Sequence, residues 1–314
     1  MPFLSSGSTR RSTRTAHALS CLILLALIVG LSAEAAPAAL NLDAFDRTRS
    51  TVSLPDGVTL AYREFGSPAG KPLVLIHGYT DSGRDWLPLI PFIDASRRII
   101  VVDLRGHGGS GKPECCYTRF DFAYDIMLLL DALKIGRADV VGHSLGAVVA
   151  QTFAEQWPDR TGKLVLISSP AAPARATEAP REQGPATDFS AQIARLKEPI
   201  DPDSPFMIAW YASPNGVDAA FLRRQRQDAS AIPLRVWLAV LDQISSIPAS
   251  NRLKAPCLLL WGSKDPIVSP QRRRDLAKAI PKARVHAFAG LGHNPFWERP
   301  GAVADRINAF LGSG

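Results

Sequence analysis

The chain has 314 residues and only four cysteines, Cys21, Cys115, Cys116 and Cys257. No Cys/His spacing resembles a zinc site, and nothing in the sequence calls for a metal or an organic cofactor. The apolar run from Ala18 to Leu31 falls short of the about 20 residues that a membrane span needs. Charge of one sign is not concentrated either. Lys and Arg outnumber Asp and Glu by 36 to 29, for a formal charge of +7, but the basic residues are scattered. They do not interleave with aromatics in the way that grips single strands, so nucleic acid is not an expected partner. The densest basic run, Arg272-Arg273-Arg274, falls in a predicted amphipathic helix and reads as a solvated face. What is plentiful is apolar residue content, 46%, enough for a sizeable core in one large or two ordinary domains.

The N-terminus has the layout of an export signal. Arg10, Arg11 and Arg14 stand in an acid-free stretch, the apolar run follows, and Ser32-Ala33-Glu34-Ala35-Ala36 supplies small residues of the A-x-A type. The expectation is a signal peptide over 1–35, cleavage near Ala35, and a periplasmic or secreted product without stable membrane association. The alternative is an uncleaved N-terminal membrane anchor. Cys21 lies inside the apolar run, too early for lipid attachment. In an oxidising compartment, adjacent Cys115 and Cys116 either close a vicinal disulfide or stay reduced, whereas Cys257, heading an apolar strand, reads as a buried core thiol.

The most informative stretch is Val140-Val141-Gly142-His143-Ser144-Leu145-Gly146-Ala147. A β-branched run leads into Gly-x-Ser-x-Gly, and small residues then open a helix. A serine on so sharp a turn projects its hydroxyl out of the fold, and Gly142 and Gly146 let strand and helix approach. The Leu145 amide and the positive helix end face the place where an oxyanion would form. A serine hydroxyl still needs a base to take its proton.

The rest of the chain supplies a context. Ser50–Leu54 and Val58–Phe65, split by Pro55-Asp56-Gly57, predict a hairpin. Continuous apolar runs at Leu73–Ile76, Ile99–Val102, Ala138–Gly142, Lys163–Ser168 and Cys257–Trp261 predict strands buried on both faces, with a last strand at Arg284–Phe288. Helices are predicted around Trp86–Ile93, Phe120–Leu133, after Ser144 to about Trp157, Gln271–Ile280 and Pro300–Leu311. Alternating strands and helices argue for an α/β fold, with ligands beyond the carboxyl ends of the strands. The rhythm breaks at Ser169–Pro185, a Pro- and Ala-rich hinge, and from Asp188 to about Ile247 only helical patterns occur. The expected organisation is a core over 36–168 and 251–314, with a helical cap inserted at 169–250.

Asp265 follows one buried strand in a Gly/Pro-marked turn, and His293 follows the last strand between glycines. The chain order is therefore Ser, Asp, His. With His77-Gly78-Tyr79, Asp103-Leu104-Arg105-Gly106-His107-Gly108, Gly142-His143-Ser144-Leu145-Gly146, Trp261-Gly262-Ser263-Lys264-Asp265 and Gly290-Leu291-Gly292-His293, the sequence resembles the α/β-hydrolase fold family from about residue 50 onward. The resemblance implies a mostly parallel eight-stranded sheet flanked by helices, with the cap after the sixth strand. It implies Ser144 as nucleophile, His293 as general base and Asp265 as its orienting acid. The backbone amides of Tyr79 and Leu145 would form the oxyanion hole. Dehalogenases and epoxide hydrolases of this fold use an elbow aspartate, so Ser144 points instead to acyl transfer.

Rival residues have quieter readings. Asp103 is a second candidate acid but looks loop-fixing; His77, His107 and His143 read as structural hydrogen bonders, and His286 as a surface residue. Phe206, Trp210, Tyr211 and Trp237 either line a substrate pocket or pack cap helices together. With no lipase-type Gly-Gly-Gly after His77, the expected substrate is a small or medium ester or lactone. C–C bond hydrolysis, cofactor-free perhydrolysis and stoichiometric small-molecule binding are the alternatives.

Overall fold

The apolar runs of the sequence assemble into one twisted sheet in the computed structural model, which describes residues 41–170, 188–244 and 252–312. The expected signal segment, Cys21 and most of the Pro/Ala-rich hinge lie outside the described residues. The strands are β1 (Ser50–Ser53), β2 (Thr59–Gly66), β3 (Pro72–Ile76), β4 (Arg98–Val102), β5 (Ala138–His143), β6 (Thr161–Ile167), β7 (Cys257–Gly262) and β8 (Arg284–Phe288). They lie in the order β1-β2-β4-β3-β5-β6-β7-β8. β2 pairs antiparallel with β1 and β4, and every later pairing is parallel.

Runs such as Leu73–Ile76, Val140–Val141 and Leu258–Leu260 are buried because helices cover both sheet faces. Each such side chain contributes roughly 1.5–3 kcal/mol by leaving water. Flanking helices are α2 (Arg119–Ala132), α3 (Leu145–Gln156), α8 (Pro270–Ala279) and α10 (Pro300–Gly312), preceded by α1 (Leu42–Arg47). Thr118 and Asp121 form a reciprocal capping box at the start of α2. Between β6 and β7 the described chain is helical: α4 (Asp188–Ile193), α5 (Pro205–Trp210), α6 (Ala219–Ser230) and α7 (Leu234–Ile244). A one-turn α9 (Pro295–Glu298) follows the loop after β8.

Two local expectations differ from what forms. In place of a helix over Trp86–Ile93 there are two short 3-10 turns, Gly83–Trp86 and Ile90–Phe92. Pro91 has no N–H to continue a helical ladder. Ahead of the hairpin, where no helix is among those predicted, the chain holds α1, whose Asn41 side chain accepts the Ala44 amide at 2.9 Å while Phe45 is buried.

Strand order positions the site. β3 lies between β4 and β5, with Ile76 opposite Gly142, so the loops after β3 and β5 emerge side by side. β7 and β8 pair with Gly262 opposite Phe288, which brings the loops carrying Asp265 and His293 together on the same rim. Among the described residues no helix is long and apolar enough to cross a membrane.

Candidate active site

Ser144 stands between β5 and α3 at φ 49°, ψ −112°. A non-glycine residue held there stores on the order of 1–3 kcal/mol of strain. The surroundings enforce it. A Cβ on Gly142 would collide with the Gly146 backbone, and one on Gly146 with the Ile76 and His77 carbonyls. The Ser144 amide donates to the Ile167 carbonyl at 2.9 Å, and the Ser144 carbonyl accepts from Ala147 at 3.0 Å. Leu145 is the first residue of α3, so its amide has no intrahelical acceptor.

His293 Nδ1 lies 3.0 Å from Asp265 Oδ1. Asp265 also accepts the Ile267 amide at 2.8 Å and the Val268 amide at 3.0 Å. Burial opposes its ionisation, but the His293 imidazole and these amides outweigh burial and hold the carboxyl below its ordinary range. Burial likewise works against a charged His293, yet Asp265 raises the imidazole above its ordinary value. The His293 carbonyl accepts from Ser168 Oγ at 2.7 Å, and the His293 ring lies 5.0 Å from that of His143, the residue before Ser144. Ser144, Asp265 and His293 thus arrive from three separate loops at one rim.

The loop after β3 carries the other expected donor, Tyr79. His77 Nε2 accepts the Leu104 amide at 3.0 Å, and Nδ1 donates to the Gly78 carbonyl at 2.8 Å. The ring is therefore a neutral clamp, and burial pushes its pKa down to about 4. The Tyr79 amide has no hydrogen-bond partner among the described residues, while its phenol donates to the Trp237 carbonyl at 2.6 Å. Asp103 accepts the Gly83 amide at 2.6 Å and the Gly109 amide at 2.8 Å and pairs with Arg63, so it fastens loops. His107 Nδ1 donates to the Arg105 carbonyl at 2.9 Å.

Phe206, Trp210, Tyr211 and Trp237, the four aromatics expected to line a pocket or pack cap helices, converge on the Tyr79–Thr80 loop. Trp210 and Trp237 lie 5.9 and 5.7 Å from the Tyr79 ring, and Phe206 stacks on Trp210. Trp210 Nε1 donates to Thr80 Oγ1 at 2.9 Å, and the Tyr211 phenol donates to the Thr80 carbonyl at 3.0 Å. Tyr211 is buried and stacks on Trp297, whereas Phe206 and Trp210 keep partial exposure.

Three features escaped the sequence reading. Arg273, read as part of a solvated face, donates to the carbonyls of Val268, Gly262 and Asp265 at 2.7, 2.9 and 3.0 Å. It staples the turn that carries Asp265, while Arg272 and Arg274 are exposed. Arg84 is buried and pairs with Asp46 of α1 at 2.6 Å and Asp228 of α6 at 2.9 Å. Asp81, Asp85 and His143 bring their polar atoms within 4.8 Å of one another beneath the Tyr79 loop. The repeat of acids at 81 and 85, one helical turn apart, was the available signal. Cys115 and Cys116 are joined by a disulfide, and Cys257 is a buried thiol.

Comparison with known proteins agrees with this architecture. The model of the alpha/beta hydrolase fold family matches residues 71–300. The chain is 31% identical over 264 residues to the dihydrolipoyllysine-residue acetyltransferase component of an acetoin cleaving system of Pseudomonas putida, covering 81% of this chain and 67% of that one. It is 28% identical to a 2-hydroxymuconate semialdehyde hydrolase of a Pseudomonas species, over 78% of this chain and 88% of the relative. Among solved structures it is similar to a thermophilic esterase from Thermogutta terrifontis, with TM-score 0.66, 25% identity, and coverage of 84% of this chain and 97% of that one.

Proposed function

The chain belongs to the α/β-hydrolase fold family, and from its rim of catalytic groups we propose that it is a serine hydrolase cleaving a small or medium carboxylic ester or lactone through an acyl-enzyme. The observation that carries this reading is the 3.0 Å Asp265–His293 pair beside a strained Ser144 elbow. His293 Nε2 takes the Ser144 proton as Oγ attacks the carbonyl carbon. Asp265 keeps the proton-bearing Nδ1 turned toward itself and stabilises the imidazolium. The oxyanion meets the Tyr79 and Leu145 amides, each worth about 3 kcal/mol of barrier. Collapse expels the alkoxide, which leaves as the alcohol with the proton from His293. Water then adds to the acyl group, giving its proton to His293, and Ser144 leaves with that proton restored.

In this reading the helical segment between β6 and β7 is the cap. Phe206 and Trp210, partly exposed above the Tyr79 loop, form the acyl or alcohol wall, and Trp237 and Tyr211 back them. No cofactor enters the scheme, and the product of signal cleavage is an exported enzyme. Likeness to the 2-hydroxymuconate semialdehyde hydrolase favours a second reading, C–C bond cleavage by the same residues. Steady-state turnover of a panel of nitrophenyl esters, lactones and vinylogous diketones separates the two. Ester turnover that vanishes in Ser144→Ala supports the proposal. Turnover of diketones alone establishes the second reading, and binding without any turnover refutes both.

A further inference from the structure

Asp81 and Asp85 are two carboxylates buried beside each other, and no Lys or Arg pairs with either among the described residues. Like charges so placed cannot both be ionised without a counter-charge. Among the described residues their one basic neighbour within pairing distance is His143, whose Nδ1 lies 3.3 Å from Asp85 Oδ2 and 4.0 Å from Asp81 Oδ2.

Hydrogen-bond accounting on His143 decides where the proton sits. Its Nε2 faces the His293 carbonyl at 3.3 Å. A carbonyl only accepts, so Nε2 carries the hydrogen. The ring is wholly buried, which favours the neutral imidazole with a single N–H. Nδ1 is then a bare acceptor. Asp85 Oδ1 is already engaged, taking the Trp297 indole N–H at 2.8 Å. Asp85 Oδ2 and His143 Nδ1 are buried, and neither has another partner among the described residues. Two facing acceptors need one proton between them.

We propose that Asp85 is a neutral carboxylic acid that donates its proton to His143 Nδ1 and so acts as a positioning residue for the catalytic centre. This rests on the serine-hydrolase reading of Ser144 and His293. The bond joins three segments. His143 is the residue before the nucleophile, and its ring supports the His293 loop through Nε2. The cluster also lies directly under the Tyr79 loop, where a Cβ on Gly78 would come 2.6 Å from Asp81 Oδ2 and 2.8 Å from His143 Nδ1. Loss of the proton sets a carboxylate against the Nδ1 lone pair and pushes elbow and loop apart. Burial favours the protonated form and pushes the Asp85 carboxyl up to about 8, against the opposing pull of the Trp297 indole and the Gly78 amide. The titratable groups around this dyad are Asp81, Tyr211, Asp228, His77, His293 and Asp265.

Asparagine imitates protonated Asp85, because its Oδ1 accepts from Trp297 and its Nδ2–H donates to His143. The test measures the rate of fluorophosphonate labelling at Ser144 from pH 6 to 10 in the full-length parent, Asp85→Asn and Asp85→Ala, with thermal melting of each. The expected result is that Asp85→Asn labels within about threefold of the parent at pH 7 and keeps its rate above pH 8, where the parent declines. Asp85→Ala, which leaves His143 Nδ1 without a donor, falls about tenfold or more below the parent at pH 6 to 8. Melting follows the same sign. A carboxyl raised on folding loses its contribution as pH climbs from about 4 to 8, so Asp85→Asn gains on the parent as pH rises. An Asp85→Asn variant as impaired as Asp85→Ala means the carboxylate is ionised and overturns the proposal. So does an Asp85→Ala variant equal to the parent, or a stoichiometric divalent metal whose removal by chelator alters labelling. A parent that never labels refutes the hydrolase reading instead, and the melting comparison then still decides where the proton lies.

Discussion

Replacing Arg273 by methionine removes the guanidinium that holds the Asp265 turn while keeping the unbranched stem on α8. Three hydrogen bonds disappear, to the carbonyls of Val268, Gly262 and Asp265. A charged donor bonded to a carbonyl contributes about 1.5–3 kcal/mol when buried. Arg273 is half-exposed and its three bonds share one group, so the combined local loss is about 2–4 kcal/mol rather than the sum. That loss falls on the turn whose Oδ1 orients His293. The expected result is a kcat lower by about 30- to 700-fold, at about 1.4 kcal/mol per decade, with little change in KM. There is a second signature. Asp265 helps to raise His293 above its ordinary value, so a displaced carboxylate moves the acid limb of kcat/KM to lower pH. Stopped-flow acylation across pH 5–9, with circular dichroism to confirm folding, measures both. A folded Arg273→Met with the parent's kcat and an unmoved acid limb would refute the argument that this arginine positions the acid.

Other expectations follow from the same geometry. In the parent, His293 must be neutral to act as a base, and its pKa is raised. The rate therefore climbs with pH through a midpoint above 6.5, which a pH–rate profile of kcat/KM checks. Gly146→Ala puts a methyl group into the Ile76 and His77 carbonyls. It should cost about 3 kcal/mol or more of stability and abolish fluorophosphonate labelling, read by denaturant unfolding and gel fluorescence. Trp210→Ala should raise KM for aryl esters more than for acetates, because the ring is partly exposed above the Tyr79 loop. Edman sequencing of the exported protein should begin near Ala36, and an intact residue 1 would mean that no cleavage occurs.

The strands were legible because parallel strands buried on both faces leave continuous apolar runs, and Arg284–Phe288 forms as read. The elbow was legible because its steric demands are local: Gly142, Ser144 and Gly146 lie within five residues. Asp265 and His293 could be picked out only because each follows a strand in a turn of distinctive composition. The pairing of Asp81 and Asp85 with His143 could not be seen, since it joins residues about sixty apart through the adjacency of β3 and β5. Arg273 was missed for a related reason. Within its helix it belongs to a run of three arginines, and only the fold turns one of them onto the carbonyls of the Asp265 turn. Likewise α1 depends on Phe45 finding cover from Arg63 and Arg84, which no local pattern announces.

The central claim is that Ser144 is activated by His293 and Asp265. Its most direct test is mass-spectrometric mapping of a fluorophosphonate adduct on the purified protein, beside Ser144→Ala, His293→Ala and Asp265→Ala. The account predicts an adduct on the peptide containing Ser144, absent in Ser144→Ala and slowed by orders of magnitude in the other two. An adduct elsewhere, or Ser144 labelling that His293→Ala leaves unchanged, would contradict it.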